Sequence, residues 1–337
     1  MAGDVRRVAD TRGPSRAFGA TAPVEMPTSP RLVTSVGRLE LPSPILSASG
    51  CFASGPEIDR FWDVSDLGAV VVKSVTLEPR DGLPTPRMAE TPSGMLNAIG
   101  LQNPGVRAWL EHDLPWLVER RARVVVSIAG GDVDEFRQIA RILRRQPGIA
   151  AIEINLSCPN VEHRGLVFAC SPEASAEVVT AVVRDSDVPV FAKLTSDVTD
   201  VVEVARAVAR AGASGVTLVN TLLGMAIDPQ TGRPSLYNGY GGLSGPAIRP
   251  VAVRNVHQVH CALPDLPIIG CGGVQSVTDV VQMLRAGASA VQVGTATFVD
   301  PFVAPRLARE LDTWLSHRGL DSVGDLVGAV TPWRDDA

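Results

Sequence analysis

Val190-Phe191-Ala192-Lys193-Leu194 is followed by a helically spaced stretch from Val198 to Ala211, by Gly212, and then by Gly215-Val216-Thr217-Leu218-Val219. Both short runs are nearly continuous apolar stretches rather than alternating ones. Parallel strands covered on both faces read this way. The segment is therefore a β-then-α unit leading into a second strand.

The same rhythm extends in both directions. The other strand-like runs are Ile45–Ser49, Ala69–Lys73, Val124–Ile128, Ala151–Asn155, Pro267–Gly270 and Ala290–Val293. Helical candidates between them are Pro104–Arg121, Asp132–Gln146, Pro172–Arg184, Pro246–Ala262 and Ser276–Ala286. Several open on Asp, Ser or Pro, and others close on Gly212 or Gly287, as helix ends prefer. Eight successive units predict an α/β fold, a (β/α)8 TIM barrel; a doubly wound sheet is the alternative. No low-complexity linker divides the chain, so residues 31–337 read as one barrel domain. Residues 1–30 mix Arg6, Arg7, Arg12 and Arg16 with acids, Pro and Gly, and read as a disordered tail.

Two spacings between strands are much longer than the rest, after Lys73 and after Val219. Both insertions leave the carboxyl end of a strand, the catalytic face of such barrels. Long ordered loops in a compact domain are usually functional.

Composition narrows the function. A net charge of −5 leaves no electrostatic footprint for nucleic acid, and 4% aromatic residues are too few for base-stacking platforms. No stretch is long and apolar enough to span a bilayer, and the odd, scattered cysteines read as a reducing, cytoplasmic setting. The five cysteines, Cys51, Cys158, Cys170, Cys261 and Cys271, form no C-x-x-C pair. Neither a disulfide framework nor a metal or iron–sulfur site is expected in this chain.

Gly270-Cys271-Gly272-Gly273 follows the seventh strand, and Gly294-Thr295 the eighth. Loops after these two strands form the usual phosphate site of a barrel, where bare backbone approaches the anion closely. The reading gives a phosphate-bearing ligand, either FMN or a sugar phosphate. Cys158 lies just past Asn155 at the mouth of the fourth strand, and Pro159 turns the chain into a loop. A thiol there is usable as a base near neutral pH. The other four cysteines read as packing residues. Asn97, Asn155, Asn160 and Asn220 sit at or beyond strand ends or in the long loop. Converging amides, which donate and accept, suit a ring of alternating C=O and N–H groups. Lys73 and Lys193 end otherwise apolar strands and should point into the barrel mouth. Buried lysines need anionic partners, such as a flavin's N1–C2 edge or a substrate carboxylate.

Four stretches together resemble the dihydroorotate dehydrogenase family. They are Lys73-Ser74-Val75-Thr76-Leu77-Glu78-Pro79-Arg80, Asn97-Ala98-Ile99-Gly100-Leu101-Gln102-Asn103-Pro104-Gly105, Ile152 through Asn160, and Gly242-Leu243-Ser244-Gly245-Pro246-Ala247. The resemblance implies an FMN-containing barrel that oxidises dihydroorotate to orotate in pyrimidine synthesis. It implies Cys158 as the base for the C5 proton while C6 passes hydride to flavin N5. It places orotate on Lys73, Asn97, Gly100, Leu101, Asn155, Asn160, Asn220 and Thr221. It places FMN on Ser49, Lys73, Ser74, Ser127, Asn155, Lys193, Val219, Gly245, Gly272, Gly273, Gly294 and Thr295. A cysteine base is similar to class 1 members, and Asn220 to Met225 looks like the class 1B pattern. That pattern implies a homodimer core and a partner subunit carrying FAD and an iron–sulfur cluster, with NAD as acceptor. Ser127, Arg164 and Ala169 depart from the family's residues at those positions. A dihydrouracil-type dehydrogenase, a fumarate-using class 1A enzyme and a non-catalytic barrel subunit are the alternatives.

Overall fold

The computed structural model describes residues 29–156 and 168–333. The chain enters as an antiparallel hairpin, β1 (Thr34–Val36) and β2 (Leu39–Leu41). β3 (Ile45–Ser47), the one-turn helix α1 (Pro56–Asp59) and β4 (Val70–Val71) follow. The antiparallel pair β5 (Met88–Thr91) and β6 (Gly94–Asn97) precedes α2 (Val106–Glu119). Strands and helices then alternate: β7 (Val124–Ile128), α3 (Val133–Leu143), β8 (Ile149–Asn155), α4 (Pro172–Asp185), β9 (Val190–Leu194), α5 (Val201–Arg210) and β10 (Gly215–Leu218). A second antiparallel pair, β11 (Leu222–Gly224) and β12 (Gly241–Ser244), leads to α6 (Arg249–Ala262). β13 (Ile268–Cys271), α7 (Val277–Ala286), β14 (Ala290–Val293), α8 (Ala296–Val299) and α9 (Val303–Ser316) complete the order.

Eight strands form one parallel sheet in the order β3-β14-β13-β10-β9-β8-β7-β4. A parallel bridge between Leu46 and Ala69 joins its two ends, and Gly68 N–H donates to Ile45 O at 2.9 Å. The sheet is thus closed, and the doubly wound alternative is excluded. Every residue of β7 and β9 is buried, which explains the continuous apolar runs. The helices cover the outside with one apolar face each. In α3, Phe136, Ile139, Ala140 and Leu143 are buried at helical spacing, and Asp132 caps the start by accepting from Glu135 N at 2.9 Å. Inside the barrel, Leu46, Val71, Val125, Ala151, Phe191 and Ile269 pack with Val36, Leu39 and Leu41 of the hairpin. That apolar plug seals the barrel below its polar mouth.

The two insertions are not independent loops. They pair into a four-stranded antiparallel sheet in the order β11-β12-β6-β5. The meeting is close: a β-carbon on Gly94 would lie 2.2 Å from the Ser244 carbonyl oxygen, and one on Gly241 2.3 Å from that of Asn97. Only glycine permits this approach. The stretch from Pro246 opens as a 3-10 turn before α6.

Candidate active site

The carboxyl ends of the barrel strands open into a cavity of about 940 Å³, at the upper end of the range for small-ligand sites. Side chains alternate along a strand, so every second residue above the apolar plug faces the lumen. These positions carry polar groups drawn from several strands.

Ser74 is the centre of one network. Its hydroxyl lies 2.9 Å from Ser127 Oγ and 3.2 Å from Ser49 Oγ. Asn155 Nδ2 donates to Ser74 Oγ at 3.3 Å, and Asn220 Nδ2 donates to Asn155 Oδ1 at 3.1 Å. The ends of β8 and β10 are thereby linked to the loop after β4. Asn97 donates to Gly242 O at 3.3 Å, across the register of β6 and β12. Lys73, Asn97, Gly100, Leu101, Asn155, Asn220 and Thr221 all line the cavity, as do Ser49, Ser74, Lys193, Val219, Gly245, Gly272, Gly273, Gly294 and Thr295. Ser127, expected on the cofactor side, is fully buried and does not line the cavity; it is linked to it by its hydrogen bond to Ser74. Cys158, Asn160 and Arg164 lie outside the described residues, and Ala169 falls in the 3-10 turn Phe168–Cys170.

The glycine turns sit at the other end of the cavity. Gly272 has φ +130° and Gly273 φ +72°. A β-carbon on Gly273 would lie 2.8 Å from both Arg249 Cβ and Gly245 O. Thr295 donates to Ser244 Oγ at 2.8 Å, tying the turn after β14 to the accessory sheet. The capping box of α7 anchors the turn after β13. Gln275 N and Ser276 N donate to Asp279 Oδ2 at 3.1 and 2.9 Å, and Arg249 pairs with Oδ1 at 2.8 Å.

A second network lies at the floor. Glu153 of β8 is wholly buried. Its Oε2 accepts from Thr217 Oγ1 at 2.9 Å and from Gln292 Nε2 at 2.6 Å. Lys193 Nζ donates to Gln292 Oε1 at 2.9 Å and lies 3.6 Å from Glu153 Oε1. Burial alone would pull the Lys193 amine down. Negative charge on Cys271 and on Glu153 would raise it, and the net shift is upward. Burial raises the Cys271 thiol in turn, and the Glu153 carboxylate lies 3.6 Å from the amine.

Lys193, a buried lysine expected to need an anionic partner, has Glu153 within the protein 3.6 Å from its amine. Glu153, Thr217 and Gln292 stand outside the expected site; an acid, a hydroxyl and an amide within buried strands are the signal that marks them. Cys170 and Cys261 are exposed rather than packed, Cys261 standing on α6 with its sulfur 3.6 Å from His257 Nε2. Cys51 is only partly buried and lines the cavity together with Cys271. A further feature of the sequence gains meaning from this geometry: Lys73 and Lys193 are its only lysines, and both reach the same cavity.

Among the described residues, no helix is long and apolar enough to cross a membrane, and no group of three or more His, Cys, Asp or Glu is arranged to hold a metal. The family model described as dihydroorotate dehydrogenase matches residues 31–315. Three similar proteins share one name, dihydroorotate dehydrogenase B (NAD(+)), catalytic subunit. That of Anoxybacillus flavithermus is 50% identical over 298 residues, covering 88% of this chain and 95% of the relative. That of Geobacillus kaustophilus is 49% identical, covering 91% and 97%. That of Listeria monocytogenes is 49% identical, covering 88% and 97%. A closed parallel barrel with an amide-lined mouth, matched over nearly its whole length, belongs to the dihydroorotate dehydrogenase family.

Proposed function

We propose that this chain is the FMN-binding catalytic subunit of an NAD-linked dihydroorotate dehydrogenase, oxidising dihydroorotate to orotate in pyrimidine biosynthesis. The carrying observation is that Asn97, Asn155, Asn220 and Lys73 share one cavity with the glycine turns at Gly272-Gly273 and Gly294. Amides that donate and accept suit the imide edge of a pyrimidine, and Lys73 suits its carboxylate.

The remaining donors suit FMN. Bare backbone at Gly272 and Gly273, with the Thr295 hydroxyl, fits a phosphate group. Lys193 fits the part of the ring system that gains negative charge on reduction. When bound, FMN supplies the hydride acceptor for substrate C6. The chain's own residues do the rest: the asparagines orient the substrate, and Cys158, assigned from its position in the sequence, takes the C5 proton. Thr221, Gly100 and Leu101 complete the substrate side, and Ser49, Ser74, Val219 and Gly245 the cofactor side.

The cysteine spacing fits no cluster on this chain, so electrons leave to a partner or to a soluble acceptor. The relatives' name, a catalytic subunit of an NAD(+) enzyme, supports a second subunit; FAD and an iron–sulfur cluster on that subunit are what the class 1B resemblance implies. Exposed apolar groups at the rim, Phe298 and Val299 with Leu223 and Tyr240, offer a surface of the kind partners cover. A homodimer core and a cytoplasmic setting complete the proposal.

Anaerobic reduction of the purified holoprotein tests the reading. Dihydroorotate should bleach the flavin and dihydrouracil should not; preference for dihydrouracil overturns the substrate. Cys158→Ala should keep FMN and lose nearly all reduction by dihydroorotate.

A further inference from the structure

We propose that Glu153 is a positioning residue that holds Lys193 as a permanent ammonium at the cavity floor, with Thr217 and Gln292 fixing the carboxylate for that task. The consequence for bound flavin rests on the function proposed above; the assignment of the ion pair does not.

The geometry divides the labour between the two carboxylate oxygens. Oε2 takes both neutral donors, Thr217 Oγ1 and Gln292 Nε2. Oε1 accepts no hydrogen bond among the described residues and faces Lys193 Nζ at 3.6 Å. Gln292 bridges the pair, donating to the carboxylate and accepting from the ammonium at 2.9 Å. Its amide cannot flip without losing both bonds. The groups come from β8, β9, β10 and β14, and β14 is not a neighbour of β8 in the sheet. The contacts therefore cross the lumen and form a polar layer where barrels normally carry branched apolar side chains.

A layer this costly to desolvate is poor evidence for stability as such. Its product is a fixed charge. Lys193 is 5% exposed, and a buried amine without an anion gives up its proton. The other groups acting on Lys193 do not supply that anion near neutrality. Cys271 from β13 and Cys51 from the loop after β3 are both thiols raised by burial. Lys73 beyond β4, which also lines the cavity, carries the same sign as Lys193. Glu153 is left as the counter-charge among the described residues. A positive charge so fixed favours the more negative, reduced form of a flavin bound above it.

The test uses the rarity of lysine in this chain. Protein labelled with 13C at lysine Cε gives two resonances, and Lys193→Met assigns them. In the wild type, the Lys193 signal should stay at its ammonium position through neutral pH and up to the ordinary lysine range. In Glu153→Gln, it should titrate well below that range while Lys73 is unmoved. Early titration in the wild type overturns the proposal even if the variant fails to fold. Unchanged titration in a folded variant overturns it equally. In the holoprotein, Glu153→Gln should shift the flavin midpoint potential to more negative values and weaken FMN binding about tenfold, the scale of one charged hydrogen bond. A potential that stays put while Lys193 titrates early overturns the link to the flavin. A wild type that holds no flavin refutes the cofactor reading, and the lysine titration still decides the ion pair.

Discussion

Asn220 donates from Nδ2 to Asn155 Oδ1 at 3.1 Å, and its own Oδ1 accepts from Thr221 N at 2.8 Å. The amide of Asn155, which also donates to Ser74 Oγ, is therefore oriented before any ligand arrives. Pre-oriented amides need not reorganise on binding, which is where recognition of a planar ring gains affinity and rate. Asn220→Ala removes one such amide and releases a second. We expect kcat/KM for dihydroorotate to fall more than about tenfold, the loss of one or two hydrogen bonds, with FMN content unchanged. Steady-state kinetics and the flavin absorbance of the same preparation check this. An unaltered kcat/KM would show that the pair does not meet the substrate.

Asp279 links stability to the phosphate end. It is buried, caps its own helix in a reciprocal box with Ser276, and pairs with Arg249 of α6. Asp279→Ala removes the cap and leaves a cation without its partner. The expected destabilisation is on the order of 2–4 kcal/mol. Because the box anchors the turn carrying Gly272 and Gly273, FMN should also be held more weakly. Denaturant unfolding and flavin titration measure the two effects; loss of stability with intact FMN affinity would separate the cap from the phosphate turn.

The barrel was legible because each buried strand is a short, mostly apolar run, and several helices carry their own signals: Asp132, Ser171, Asp200 and Ser276 cap the starts of α3, α4, α5 and α7, and Gly212 and Gly287 follow the ends of α5 and α7. Those signals are local. The accessory sheet was not legible: Asn97 pairs with Gly242 across a gap of well over a hundred residues, and neither insertion carries a turn that specifies the other. The floor network stayed hidden for a related reason. Glu153, Thr217 and Gln292 each stand alone in an apolar strand, and only closure brings them within hydrogen-bonding distance. Lys193 was found because a lysine ending an apolar strand is conspicuous, but its partner lies across the lumen.

The two lysines also predict a labelling pattern. Lys73 is partly exposed in the cavity, whereas Lys193 is nearly buried and paired with Glu153. A small amine-acylating reagent should modify Lys73, besides the α-amino group, and leave Lys193 untouched in the folded protein. Orotate should protect Lys73. Peptide mass spectrometry reads both sites. Equal modification of Lys193 would show that the floor is open to solvent.

The cysteines divide by environment, and pH exposes the division. Although Cys51 is partly exposed as a residue at the cavity wall, burial of its sulfur, with a smaller contribution from nearby Cys271, pushes the thiol from an ordinary 9.0 up to about 12. Cys271 is raised for the same reason. Cys170 and Cys261 are exposed. At pH 8, iodoacetamide should label Cys170 and Cys261 well ahead of Cys51 and Cys271, since the thiolate is the nucleophile. The stability consequence has a definite sign. A thiol whose folded value lies above its unfolded value contributes stability that is complete below pH 9. That contribution is lost as pH rises from 9 toward 12, because the unfolded chain ionises first. Wild-type protein should therefore lose stability across this alkaline window. Cys51→Ala should start less stable at pH 8, through lost packing, yet lose less over the same interval. Parallel denaturation curves at pH 8 and pH 10.5 provide the measurement, and an identical alkaline loss in both proteins would remove Cys51 from the account.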